Sequence, residues 1–213
     1  MIAETISEIH YKGMKKNEID DIIKIIENTN VGTSEENFVG QLIRNILYQE
    51  KNPYSEEQLY SILNKAIMTF QDHSFILHLK GQVYLDNNQP IEALKCFQKN
   101  IQDGKNRMYS THSAGMACIE QAKQSQSSSE KILLYNKAKK YFQTGLKEFP
   151  GNPFFEKSCL QLYLMKKNEN LLNEDDLEHA KIIFTLYQKS TSKDDDLNDF
   201  KKILFEYSNH NIL

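Results

Sequence analysis

An all-α protein is what this chain predicts, on three observations. Leu, Ile, Lys, Glu and Asn abound, while the 213 residues include only 8 Gly, 4 Pro and no Trp, a poor composition for a turn-rich β-sandwich and an easy one for helices. Apolar residues recur at intervals of three and four along most of the chain. Short clusters of turn residues interrupt that recurrence. With 39% hydrophobic and 26% charged residues, most of the chain is able to bury a core rather than stay disordered.

The first two helices are predicted at residues 2–12 and 18–28. Ile2, Ile6 and Ile9 mark one, Ile19, Ile22, Ile23 and Ile26 the other, with Gly13 and a capping Asn17 between them. The stretch NTNVGTSEEN at 28–37 breaks the pattern, and Ser34 before two glutamates starts the next helix. Phe38, Val39, Leu42, Ile43, Ile46 and Leu47 give that helix one apolar face. KNPYSEEQ interrupts again, and Ser55 with Gln58 forms a capping box opening a helix over 55–70. Further on, Leu77, Gly81 and Tyr84 share a helix face, DNNQP turns the chain, and Ala93 and Phe97 stand four apart on the following helix. Two helices approach closely only where the contact residues are small. Gly81 and Ala93 are therefore expected at the contact, with Tyr84 and Phe97 filling the space on either side.

This spacing resembles the tetratricopeptide repeat, a helix–turn–helix unit of about 34 residues with a large residue, Gly, Tyr, then Ala and Phe after a turn. One unit cannot bury its own apolar face, so the resemblance implies further copies in register. Adding about 34 to Gly81 gives Gly115, and the same step from Tyr84 gives Cys118, a smaller filler. QSQSSSEKILLYN then delays the second helix: 93 plus 34 is 127, and the matching Ala138 lies 11 residues beyond it. That insertion equals about three helical turns, so the paired helices are expected to be lengthened there. Phe142 and Pro150 follow Ala138 as they do in the family. Upstream, Leu59, Leu63 and Ala66 fit a second helix; downstream, Phe155, Cys159 and Leu162 fit a first one, and Ala180 with Phe184 a second capped by Asn173.

The resemblance covers roughly residues 36–190. It implies an α-solenoid of antiparallel helix hairpins with lengthened hairpins and a C-terminal capping helix. The organisation it implies is an N-terminal helical segment at 1–33, a repeat array at 34–190 and the capping helix at 191–213. The array divides into hairpins at 34–73, 74–107, 108–151 and 152–190. In the last segment Asp194, Asp195 and Asp196 form an acidic first turn before Leu197, Phe200, Ile203, Leu204 and Tyr207.

In this family the first helices line a concave groove, and the residues three before and one after the Gly face it. The resemblance therefore points to His78 with Gln82 and to His112 with Met116. Such a polar ladder would hydrogen-bond a bound peptide or partner helix, with a charge that responds to pH. Members that clamp a terminal carboxylate carry Lys and Asn at these places, so that function is not supported. No third ligand stands at metal spacing beside the histidines. Six residues apart on a helix, His112 and Cys118 point to different faces, which disfavours a nucleophile pair. Cys118 and Cys159 read as small buried hydrophobes. The serine-rich run at 125–129 reads as a solvated tip or as a contacting loop.

A net charge of -3 with mixed signs argues against nucleic acid as the partner. Cys96, Cys118 and Cys159 are odd in number and widely spaced, which encodes no disulfide framework and fits a reducing compartment. MIAETISEIHYKGMKK lacks the charge and apolar run of a signal peptide, and no segment approaches the length of apolar chain that spans a bilayer. The expectation is a cytoplasmic, non-enzymatic scaffold or adaptor with no cofactor and no membrane contact, binding a protein or peptide partner within a larger assembly. A rival expectation is a sensor or regulatory arm of a signalling or defence enzyme system. A third, a small Cys or His hydrolase, requires a reactive Cys118.

Overall fold

The structure, a computed structural model, describes residues 19–30, 34–47, 54–70 and 73–190. Every regular element among them is helical, as the spacing predicts. In the order of the chain these are α1 (Ile19–Asn28), α2 (Ser34–Leu47), α3 (Glu56–Thr69) and α4 (Ser74–Asp86), then α5 (Pro90–Gln102), α6 (Arg107–Gln124), α7 (Ser128–Glu148), α8 (Pro153–Asn168) and α9 (Glu174–Ser190). The expected helix at 2–12, the Asn17 cap of the following helix, and the C-terminal helix with its aspartate start lie outside the described residues.

Local chemistry sets the helix starts. Ser55 accepts from the Gln58 backbone N–H at 3.4 Å while Gln58 Oε1 accepts from the Ser55 N–H at 2.8 Å, the capping box read from the sequence. Asn173 Oδ1 caps α9 by accepting from the Asp176 N–H at 2.8 Å. Asn152 caps α8 through the Phe154 N–H, with Pro153 in the first turn. Ser127 caps α7 through the Glu130 N–H, so the exposed serine run is that helix's start. Because α7 begins at Ser128, most of the insertion adds helical turns to its front, and α7 reaches 21 residues.

The chain forms two compact units, Met1–Asn87 and Asn88–Leu213. The boundary falls within the DNNQP turn, a division the sequence reading does not make. It assigns Gly81 and Tyr84 to the first unit and Ala93 and Phe97 to the second.

In the first unit α1 packs on α3, α2 on α3 and α4, and α3 on α4. Ile22, Ile26, Ile43, Ile46, Leu63 and Ile76 are fully or almost fully buried at the centre. A 2.5 Å ion pair from Lys65 to Glu27 ties α3 to α1 at the rim. Tyr84 lies beside Tyr60 of α3, with ring centroids 5.7 Å apart, and Lys80 sits over the Tyr84 ring.

In the second unit each helix packs on the next in sequence, and α6 also reaches α8. Polar contacts join the start of one helix to the end of its neighbour. Arg107 donates to Glu148 at 2.6 Å between the first turn of α6 and the last of α7. Lys131 and Tyr135 near the start of α7 donate to Glu169 just past the end of α8, at 2.9 and 2.6 Å. Ala93, Phe97, Ala114, Cys118, Ala138, Phe142, Phe155, Cys159 and Leu162 are completely buried. Each buried large side chain contributes on the order of 1.5–3 kcal/mol through apolar area removed from water.

Gly40, Gly115 and Gly145 each stand against a ring of a neighbouring helix. A Cβ at Gly115 of α6 would overlap the Phe142 ring of α7, and one at Gly145 of α7 would overlap the Phe155 ring of α8. At Gly40 of α2 it would stand 2.8 Å from the Phe75 ring of α4. In each case a benzyl ring occupies the volume that a side chain would have taken.

Candidate functional site

His78 and Gln82 lie one turn apart on α4 of the first unit, both half-buried, flanked by the buried Leu79, Gly81 and Val83. His112 and Met116 lie one turn apart on α6 of the second unit and are likewise half-buried. The structure thus places two of the four sequence-predicted residues in each unit.

His112 is engaged inside its unit. Its Nε2 shares a 2.7 Å hydrogen bond with Ser158 Oγ of α8. Its ring meets those of Phe142, Phe154 and Phe155, with centroids 5.9, 6.4 and 5.7 Å away. Burial lowers its pKa below the ordinary imidazole value of 6.5, so the ring is neutral at pH 7. Its own packing therefore opposes the pH-sensitive charge expected of this residue.

Two aromatic side chains near His112 are exposed. Tyr109, one turn before it on α6, is 57% exposed, and Phe154 at the start of α8 is 65% exposed. Beside Tyr109 opens a cleft of about 560 Å³ lined by Asn106, Arg107, Met108, Tyr109, Glu148 and Phe149. The charges on its wall, Arg107 and Glu148, neutralise one another. Asn152 Nδ2 donates to Met108 Sδ at 3.1 Å, tying the α8 start to the same corner. This surface suits a neutral, apolar or aromatic side chain better than a carboxylate. Met116 is the last residue of the Tyr109, His112, Met116 row along α6, at helical intervals on one face.

The repeat positions Ala138 and Phe142 are fully buried, and Pro150 is exposed in the turn after α7. Cys118 is buried where the repeat register places a tyrosine, and burial pushes its thiol up to about 11, with Lys137 opposing. Burial pushes Cys159 up to about 12. Neither is a thiolate at neutral pH. In the native protein all three cysteines are expected to resist a soluble thiol reagent, and all three to react once it is unfolded. Rapid native labelling of Cys118 would revive the nucleophile reading.

Among the described residues no three His, Cys, Asp or Glu side chains gather as metal ligands, and no helix is long and apolar enough to cross a membrane.

The sequence reading missed a second polar cluster. Asp176 in the first turn of α9 is 1% exposed and accepts from Lys166 of α8 and, at 2.7 Å, from Lys139 of α7. One turn on, His179 Nδ1 shares a 2.6 Å hydrogen bond with Tyr163 OH of α8. Burial raises the Asp176 pKa, and the two lysine hydrogen bonds outweigh it, so the carboxylate is held below its ordinary 3.8. A lysine in a helical pattern ordinarily signals a solvated face, and Lys166 with 2% exposure gave no other sign.

No protein-family model, curated protein or solved structure matches this chain.

Proposed function

We propose that the chain is a non-enzymatic interaction module. In this reading α6–α9 form two stacked antiparallel hairpins of tetratricopeptide type, and the α6 and α8 face around Tyr109, His112, Met116 and Phe154 holds a protein partner through apolar side chains. The observation that carries it is the Gly115–Phe142 contact, because the repeat register places a small residue and a ring at those positions. The start-to-end contacts Arg107–Glu148 and Tyr135–Glu169 support hairpins that run antiparallel. Stacked helices order such a face before the partner arrives, which spares part of the entropic cost of association. His78 and Gln82 on α4 remain the corresponding candidates in the first unit.

The test is affinity capture from the native source followed by mass spectrometry, comparing the wild-type chain with a Tyr109→Ala, Phe154→Ala double variant. A stoichiometric partner retained by the wild type and lost at least tenfold by the variant, with helicity and melting temperature unchanged, is the expected result (about 1.4 kcal/mol or more). Equal capture by both would remove this face from the proposal. Capture that depends on an added small-molecule trigger would favour a sensor or regulatory arm instead.

A further inference from the structure

The cluster around Asp176 lies at the start of α9, and its five members come from three helices. Asp176 and His179 belong to α9, Lys166 and Tyr163 to α8, and Lys139 to α7. Among the described residues, Asp176 supplies the negative charge bonded to the two lysines, both largely withdrawn from water, Lys139 at 20% and Lys166 at 2% side-chain exposure. Lys139 also sits over the Tyr163 ring, 5.7 Å from its centroid. The cluster therefore holds two cations, one anion and one neutral imidazole behind a tyrosine hydroxyl.

We propose that α9 is a latch released by acid: Asp176 ties its first turn to Lys139 and Lys166, the neutral His179 ring completes the seam against Tyr163, and a proton on that ring adds a third cation that frees the helix.

The charges facing the ring support this direction. From α7 it meets Lys139, a cation; from α8 it meets the neutral Tyr163 phenol, with the buried Cys159 thiol and Glu156 behind it acting on one another; from its own helix it meets Asp176. Burial, then Lys139, lowers the His179 pKa, and Asp176 offsets only part of this. Docked α9 consequently binds the proton less well than released α9. Docking is at full strength above the ordinary histidine value of 6.5 and weakens as pH falls from there to the lower docked value. Asp176 acts in a separate window. Its contribution is present above 3.8 and is lost only as pH falls through its still lower folded value. A release in mildly acid solution thus belongs to His179.

Detachment would uncover the buried Leu177, Ala180, Ile183, Phe184 and Tyr187 on α9 and the α8 residues they cover. The same apolar seam resists release at neutral pH. Local opening of one helix requires less than global unfolding, which is why a modest change in one ionisable group suffices to shift it.

Hydrogen exchange of the full chain, read by mass spectrometry at about pH 7.5 and about pH 5 and corrected for the intrinsic pH dependence of exchange, tests the proposal. Protection across α9 is expected to fall threefold or more (roughly 0.65 kcal/mol or more), while α6 keeps its protection. His179→Gln, which keeps a polar partner for Tyr163 but cannot take the proton, is expected to abolish the fall. Unchanged α9 protection in the wild type, or the same fall in the variant, overturns the latch. Should His179→Gln fail to fold at neutral pH, NMR titration of the wild-type imidazole decides. A His179 midpoint that is depressed and coincides with α9 release supports the latch, and an undepressed or non-coincident midpoint rejects it.

Discussion

Asp176→Asn is expected to be among the most damaging single substitutions in the second unit, costing on the order of 3–5 kcal/mol in urea or thermal unfolding. The change preserves side-chain size and leaves the Asn173 cap on the Asp176 backbone N–H intact. What it removes is the charge that neutralises Lys166, a side chain 2% exposed and unable to reach water without opening the α8 and α9 contact. A buried ion deprived of its partner costs about 3–5 kcal/mol, whereas replacing both members by apolar residues of similar volume is often neutral or better. The double variant Asp176→Leu, Lys166→Met is therefore expected to recover most of the loss, since Lys139, at 20% side-chain exposure, keeps a route to solvent that Lys166 at 2% lacks. A small effect of Asp176→Asn, or a double variant as unstable as the single, would show that the ion pair does not hold α9 in place.

The second large effect is expected at the Gly115 and Phe142 contact. Phe142 is completely buried, and its truncation to Ala should cost about 3–5 kcal/mol through lost transfer energy and an unfilled cavity. Gly115→Leu inserts a side chain where the Phe142 ring already stands and should cost about 1–3 kcal/mol by overpacking. Because the two changes concern one volume, the Gly115→Leu, Phe142→Ala double variant should be more stable than the sum of the singles predicts, by about 0.5–3 kcal/mol. Strict additivity in a double-mutant cycle would separate the two residues and remove the structural basis for the repeat register in this unit.

Much of the helical architecture was legible because its signals are local. Helix starts at Ser55 and Asn173 were readable from residues that satisfy orphan backbone donors within one turn, and the one at Ser34 from its place before two glutamates. The lengthening of α7 was readable because the 11-residue insertion before Ala138 equals about three helical turns, whereas its start within the serine run, read as a tip or a contacting loop, was not. Turn conformations were less legible. Asn88, Asn106 and Asn170 adopt positive φ beside Gly104 and Gly151, and an asparagine there looks in sequence like any polar loop residue.

The candidate site was legible in position and not in character. Repeat register located His112, yet its aromatic surroundings come from both α7 and α8, and its hydrogen-bond partner Ser158 lies 46 residues further along the chain. The Asp176 cluster was invisible for the same reason, since charged residues are read as solvent-facing until a tertiary contact says otherwise. Gly145 carried a weak sign, a glycine within a helical pattern three residues after Phe142, which suggests a close approach without naming the ring that makes it. The unit boundary between Asn87 and Asn88 had no sign at all, because a two-residue asparagine turn serves equally within a domain and between two.

The glycine-and-ring pairs bear on how such a chain can change over generations. Gly40 with Phe75, Gly115 with Phe142 and Gly145 with Phe155 are three sockets, each already filled by its aromatic plug. A descendant that acquires bulk at the socket must trim the plug at the same time, and one that loses the plug gains nothing by keeping the socket bare. Divergent copies of this gene should accordingly exchange the two positions of a pair together, at separations of 35, 27 and 10 residues, leaving a correlated trace that outlasts recognisable similarity elsewhere.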